Sequence, residues 1–358
     1  MNSSRVDGTL PRWAVRALQL ILTVAVTWFI LDRVGITTSD IRGLEERWLR
    51  PSAGVLALAS AVFLGGLFLS AAFWGRMVGE LGGPKLSFFR SASIYFPSNL
   101  GRYIPGKVWQ LAGLAYLAKR EGVPAATATA AAVLVQAVSL AGAIVIGAWA
   151  LATTPGVAGG WGRWGAGAIL LVVAVTTTPP VFRRLLGLWF RLAGRIRLSG
   201  WGGLAEGDGE DGEEGGMESA EGSGVGRSRG EDAPNRDQTT LGGPTFGPRW
   251  VVLFAGNWVL YSASFWLMAR SFDVDGSFLV LAPAFAAAYV LGYAMIFAPA
   301  GIGVREGFLV AFLQPSVGGA AAVALAVLAR FWMTLLELLP AVAFGSVHLL
   351  RTRGVTDR

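Results

Sequence analysis

The sequence predicts an all-α polytopic membrane protein: about six full transmembrane helices, two re-entrant hairpins of broken helix, and an element order that suggests an inverted repeat. Three observations carry this. Of the 358 residues 53% are hydrophobic and only 15% charged, with a mean hydropathy of +0.53, where a soluble domain carries about a quarter charged residues. Six apolar windows reach the roughly twenty residues that a helix needs to cross about 30 Å of hydrocarbon. Two further apolar regions are interrupted in their middle by Pro, Gly and charge.

Taken in order, the first span runs over 13–31. Arg5 and Arg12 precede it, but no small-residue cleavage site follows before Asp32, so it reads as a retained span and not a signal peptide. Spans at 52–75, 125–152 and 165–182 complete the first membrane half, 1–201, with the first broken region, 87–120, between the second and third. From 202 to 248 the composition changes to fourteen glycines, eleven acidic residues and three arginines, which reads as a disordered, solvated linker. The acidic run from Glu206 to Glu214 lacks the spacing of a calcium loop. The second half, 249–358, holds spans at 250–269 and 319–347, with the second broken region, 284–316, between them. Trp13, Trp48, Trp74, Trp161, Trp164 and Trp250 recur near span ends, as interfacial anchors do.

Outside the linker the chain holds 27 Lys and Arg against 12 Asp and Glu. The N-terminus and the stretches 76–120 and 183–197 are rich in positive charge, while 153–164 and 270–277 are poor. The positive-inside rule then places both termini in the cytoplasm, opens the first hairpin from the cytoplasm and opens the second from the outside. Span, span, hairpin, span thus occurs twice with opposite orientation, and the two tips meet near mid-membrane.

The first tip is Ser98-Asn99-Leu100-Gly101-Arg102-Tyr103-Ile104-Pro105-Gly106-Lys107. The second is Pro299-Ala300-Gly301-Ile302-Gly303-Val304-Arg305-Glu306. Non-helical backbone at membrane depth needs protein or water to satisfy it, so two such tips imply a polar cavity. Each tip also opens a helix, whose N-terminal N–H groups and dipole favour an anion. Asn99, Arg102, Lys107, Gln110 and Arg305 are therefore the candidate headgroup ligands, and Pro105, Gly106, Pro299, Gly301 and Gly303 the backbone of the tips. Taken singly, the same residues serve as caps and pivots: Asn99 and Gln110 as half-helix caps, Glu306 as a neutraliser of Arg305.

Arg330 and Glu337 lie inside the last span, where an ionised side chain must be paired or face water. Seven residues apart, they share a face about two turns apart. That is too far for an easy pair, so each needs a partner elsewhere, with Glu306 and Arg305 as candidates. Gln136 and Asn257 read as helix-bridging polar residues. Gly301, Gly303 and Gly307 lack the spacing and βαβ context of a dinucleotide fingerprint. The absence of cysteine excludes disulfides and thiolate chemistry, and His348 is the one histidine. The sequence holds no Walker A motif, catalytic set or metal-ligand cluster, so no cofactor, metal or nucleic acid is expected.

Asn99-Leu-Gly-Arg-Tyr-Ile-Pro-Gly-Lys107 followed by Lys119-Arg120-Glu-Gly-Val123, together with Pro299-Ala-Gly-Ile-Gly-Val-Arg-Glu306 and a long span containing Arg330, resembles the paired signatures of the lysylphosphatidylglycerol synthase transmembrane-region family, the flippase-like membrane proteins. The resemblance covers nearly the whole chain except the acidic insert, and it implies translocation of a phospholipid. Trp109-Gln110 stands where family members often have Gly-Glu, which resembles a branch of cell-envelope polysaccharide or lipid-linked sugar pathways. Ala300 stands where Gly is common, and no aminoacyl-transferase domain follows residue 358. The expected function is binding and translocation of an anionic phospholipid or lipid-linked precursor in the cell membrane, with envelope or polysaccharide biosynthesis proteins as partners. The alternatives are a membrane enzyme using Glu306 or Glu337 as acid or base, and an accessory or scaffold subunit.

Overall fold

The computed structural model describes residues 50–103, 108–154, 162–178, 246–294 and 303–356, with 180, 181 and 184. Among the described residues there are helices and no strand. They are α1 Ala53–Glu80, α2 Phe88–Asn99 continued by a 3-10 turn Leu100–Tyr103, α3 Val108–Arg120, α4 Ala125–Thr153, α5 Gly162–Thr177, α6 Phe246–Ser271, α7 Phe278–Ala294, α8 Val304–Val317 and α9 Gly319–Thr356. α1, α4, α6 and α9 are long and apolar enough to cross a membrane. They answer to four of the six expected spans; the window 165–182 forms the shorter α5, and 13–31 lies outside the described residues. The linker 202–248 also lies outside them, apart from its last three residues, which already belong to α6.

The interrupted regions form helix pairs, α2–α3 and α7–α8, each packed against its own partner. The second pair departs from the expected limits. α7 starts at Phe278, six residues before 284, and α8 starts at Val304, so Val304, Arg305 and Glu306 are helical and not part of the break. The reason is local: Gly303, with φ of 85°, turns the chain into the helix, and the Glu306 carboxylate accepts its N–H at 2.6 Å.

The turns outside the pairs repeat in the two halves. Gly82 after α1 and Asp273 after α6 both have positive φ. At each, the following N–H reaches back to the fifth residue before it: Gly83 to Val78 O, and Val274 to Ala269 O. This is the left-handed cap that satisfies orphan helix carbonyls. Gly122 after α3 and Gly318 after α8 also both have positive φ, and at Gly122 the following N–H, of Val123, makes the same reach to Ala118 O.

Packing follows the same exchange. α1 packs on α2 as α6 does on α7, α3 on α4 as α8 does on α9, and α4 on α7 as α9 does on α2. The equivalent helices α1 and α6 face one another in antiparallel register: Ser52 N–H donates to Ser271 O at 2.7 Å, Asn257 Nδ2 to Ser70 Oγ at 2.9 Å, and Trp250 Nε1 to Glu80 Oε2 at 2.9 Å. Equivalent helices running head to tail require a two-fold axis perpendicular to them, so the halves are inverted. The open ends of the two hairpins consequently lie at opposite ends of the α1–α6 pair.

Burial separates a lipid face from an internal one. On α9, Phe331, Leu335, Leu339 and Val342 are exposed, while Ala329, Met333, Leu336 and Ala341 are buried, the division expected of a helix lying against both lipid and protein. Trp164 is exposed. Trp74 and Trp250, expected as interfacial anchors, are instead fully buried. Their indole N–H groups find Ala128 O and Glu80 Oε2, which removes the cost of enclosing them. Asn257 bridges α1 and α6 as expected.

Candidate functional site

Both helix breaks are held close to the chain that follows them by a glycine. A Cβ on Gly101 would lie 2.5 Å from the amide nitrogen of Gln110, and one on Gly292 would lie 2.7 Å from Cβ of Arg305. Real Cβ contacts are not that short, so each glycine permits an approach that a side chain would block. The residues that follow them, Arg102 and Tyr293, project into one cavity of about 490 Å³.

The cavity draws its walls from both hairpins, α4 and α9. Arg102 and Gln110 come from the first hairpin, Tyr289, Tyr293 and Arg305 from the second, and Arg330, Thr334 and Glu337 from α9. α4 supplies a mostly apolar wall, with Val133, Ala137 and Leu140 beside Gln136. An apolar wall opposite a charged one suits an amphiphile better than a free ion.

The charges are arranged in pairs with one exception. Arg102 Nη1 lies 3.3 Å from Glu337 Oε1, and Arg330 Nη1 lies 3.7 Å from Glu306 Oε1, so each pair ties one hairpin to α9. Glu306 serves twice, because its other oxygen caps Gly303. Arg330 therefore finds Glu306 as expected, whereas the partner of Glu337 is Arg102 and not Arg305. Glu306 makes no direct ion pair with its neighbour either, since consecutive helical side chains point about 100° apart, and its charge reaches Arg305 only at longer range.

Arg305 has no carboxylate partner among the described residues. It is 8% exposed, with its guanidinium 5.0 Å from the ring centroid of Phe285 and 5.4 Å from that of Tyr289. Nη2 lies 3.1 Å from Met333 Sδ. Aromatic faces and a thioether stabilise a cation by about 1–2 kcal/mol, less than removing it from water costs. Among the described residues, three arginines thus meet two carboxylates at the site.

Of the other expected ligands, Gln110 lines the cavity and donates from Nε2 to Asn99 Oδ1 at 2.7 Å. Asn99 borders an adjoining space of about 70 Å³ instead of the cavity itself. Gly303 is buried at the start of α8. Lys107, Pro105, Gly106, Pro299 and Gly301 lie outside the described residues. Tyr289, Tyr293 and Gly292 were not legible as site residues, because they sit in an apolar run without charge, and Thr334 was passed over between Arg330 and Glu337; Gln136, read as a bridge, lines the cavity. No group of three His, Asp or Glu that would hold a metal occurs among the described residues.

Two inverted units of broken helix around a charged internal cavity make up a polytopic helical membrane protein. The chain belongs to the family described as Lysylphosphatidylglycerol synthase TM region, whose profile matches residues 16–341. It is accordingly a membrane-embedded protein of lipid and cell-envelope metabolism. Comparison with curated proteins finds no match.

Proposed function

We propose that this protein binds an anionic lipid headgroup in the 490 Å³ cavity and passes it between the two leaflets of the cell membrane, both termini lying in the cytoplasm. The observation that carries this is Arg305: a buried guanidinium, facing the cavity, whose contacts are aromatic and thioether. A headgroup phosphate supplies the charge that it lacks, and the N-terminus of α8 adds its N–H dipoles to the same point. Arg102 and Gln110 complete the polar side, with Asn99 holding the Gln110 amide and Lys107 the further cation expected from the sequence, Glu306, Arg330 and Glu337 form the charge network that holds the hairpins, and the wall of α4 accepts the first methylenes of the acyl chains. The cell envelope is the setting in which such a lipid is used, with biosynthesis proteins of that layer as partners. Acid–base catalysis by Glu306 or Glu337 is less well supported, since each is engaged by an arginine.

Binding in lipid nanodiscs tests the proposal. The protein should bind dioctanoyl phosphatidylglycerol and not its neutral diacylglycerol counterpart. Arg305→Gln should weaken that binding about 10- to 100-fold, the worth of one charge-assisted hydrogen bond. Equal binding of the two lipids, or full affinity in the variant, would remove the basis of the proposal.

A further inference from the structure

One carboxylate borders two spaces. Among the described residues Glu337 is the only acidic side chain in the wall of the large cavity, and also the only one in the wall of the adjoining space of about 70 Å³. That smaller space draws walls from each equivalent pair: Ser70 and Tyr261 from α1 and α6, Tyr95 and Tyr289 from α2 and α7, Ser139 and Glu337 from α4 and α9. Its lining is rich in hydroxyls and amides, and at about 10–15 Å³ for each water centre it has room for several waters. Ser70 in its wall also takes a hydrogen bond from Asn257, whose Oδ1 is buried without a partner among the described residues.

The charge arrangement gives Glu337 a reason to change state. Arg102 and Tyr95 face it from the first hairpin, Tyr261 from α6, Tyr289 and Tyr293 from α7, Arg305 from α8 and Arg330 from its own helix, while Glu306 is held on Arg330. Glu337 carries its negative charge against Arg102. A headgroup phosphate brought to Arg305 adds a second negative charge to the same cavity, and it competes for Arg102. Two such anions in one enclosed site favour protonation of the weaker acid, here the carboxylate and not the phosphodiester.

Resting on the function proposed above, we infer that Glu337 is the proton-exchanging group of the transport cycle: its carboxylate takes up one proton from the small polar space when an anionic headgroup occupies the cavity, and releases it when the headgroup leaves. The step is balanced, because the carboxylate becomes the neutral acid with a proton supplied by bulk solvent and relayed through water in the small space, and Arg102 turns from carboxylate to phosphate. Headgroup and proton then travel together, and a proton gradient drives the lipid.

The test counts protons. Dioctanoyl phosphatidylglycerol is titrated into the full-length protein by calorimetry, in buffers of different ionisation heat, between roughly pH 5 and pH 8. Wild type should take up close to one proton per lipid, with affinity falling about tenfold per pH unit across the window between the two states of Glu337. In Glu337→Gln, where the loss of the Arg102 partner itself changes affinity, whatever binding is measured should carry no proton uptake and no response to pH, whereas Glu337→Asp, which keeps a carboxylate, should retain both and guards against a folding defect in the amide variant. Arg305-dependent binding without proton uptake in wild type would overturn this inference alone, as would a pH response that survives in Glu337→Gln. Failure of wild type to bind the lipid at all would overturn the proposed function and this inference with it.

Discussion

Replacing Gly292 by alanine puts a Cβ 2.7 Å from Cβ and 3.1 Å from Cα of Arg305. Carbon atoms at rest sit about 3.5–4.0 Å apart, so the first turn of α8 must retreat by about 1 Å or α7 must yield. Overpacking of this kind costs about 1–3 kcal/mol. The retreat also carries the Arg305 guanidinium away from Phe285 and Tyr289, against which it is held at 5.0 and 5.4 Å. Gly65 is the matched control: it is an exposed residue within α1, with no atom within 4 Å of the Cβ it would gain. Thermal unfolding in detergent, followed by tryptophan fluorescence, should show Gly292→Ala melting well below wild type and Gly65→Ala at or above it. Lipid affinity should fall in Gly292→Ala alone. Equal melting and equal affinity for the two variants would refute the argument that the α7–α8 break is packed to contact at this point.

The ion pairs and the topology yield further expectations. Glu306→Gln should lower stability by about 1–3 kcal/mol, because the carboxylate both caps Gly303 and pairs with Arg330; an unchanged melting curve would contradict that double role. A double-mutant cycle on Arg102→Leu and Glu337→Leu should return a coupling energy of about 1 kcal/mol or more, and strict additivity would mean that the two residues do not act on one another. The chain contains no cysteine, so single-cysteine variants need no prepared background. A membrane-impermeant maleimide should label Lys119→Cys from the cytoplasmic side and Asp275→Cys from the outside; labelling of both from one side would break the inverted arrangement.

Most of the fold could be read from the chain because its signals are local. A run such as Ala125–Thr153 declares a span by composition alone, and the clusters around Gly101 and Gly303 declare their breaks by residue type. The extent of the second break was misjudged since Gly303 and Glu306 look like loop residues until they are seen to start a helix together. The site was legible only in part. Arg102 and Glu337 are 235 residues apart, and nothing local distinguishes that pairing from Arg305 with Glu337. Tyr289 and Tyr293 lie four apart in an apolar helix and look like lipid-facing residues, yet both line the cavity. Trp74 and Trp250 misled in the opposite sense, for an indole near a span end takes the membrane interface only when no internal acceptor is offered.

The proposed headgroup binding rests on Arg305, buried and without a carboxylate partner among the described residues. Proteoliposomes carrying a fluorescent phosphatidylglycerol in one leaflet test it most directly, with dithionite quenching reporting transbilayer movement. Wild-type protein should accelerate that movement over protein-free vesicles, and Arg305→Ala, folded and inserted to the same extent, should return it to the background rate. Movement in Arg305→Ala at the wild-type rate, or no acceleration by the wild type, would contradict the account.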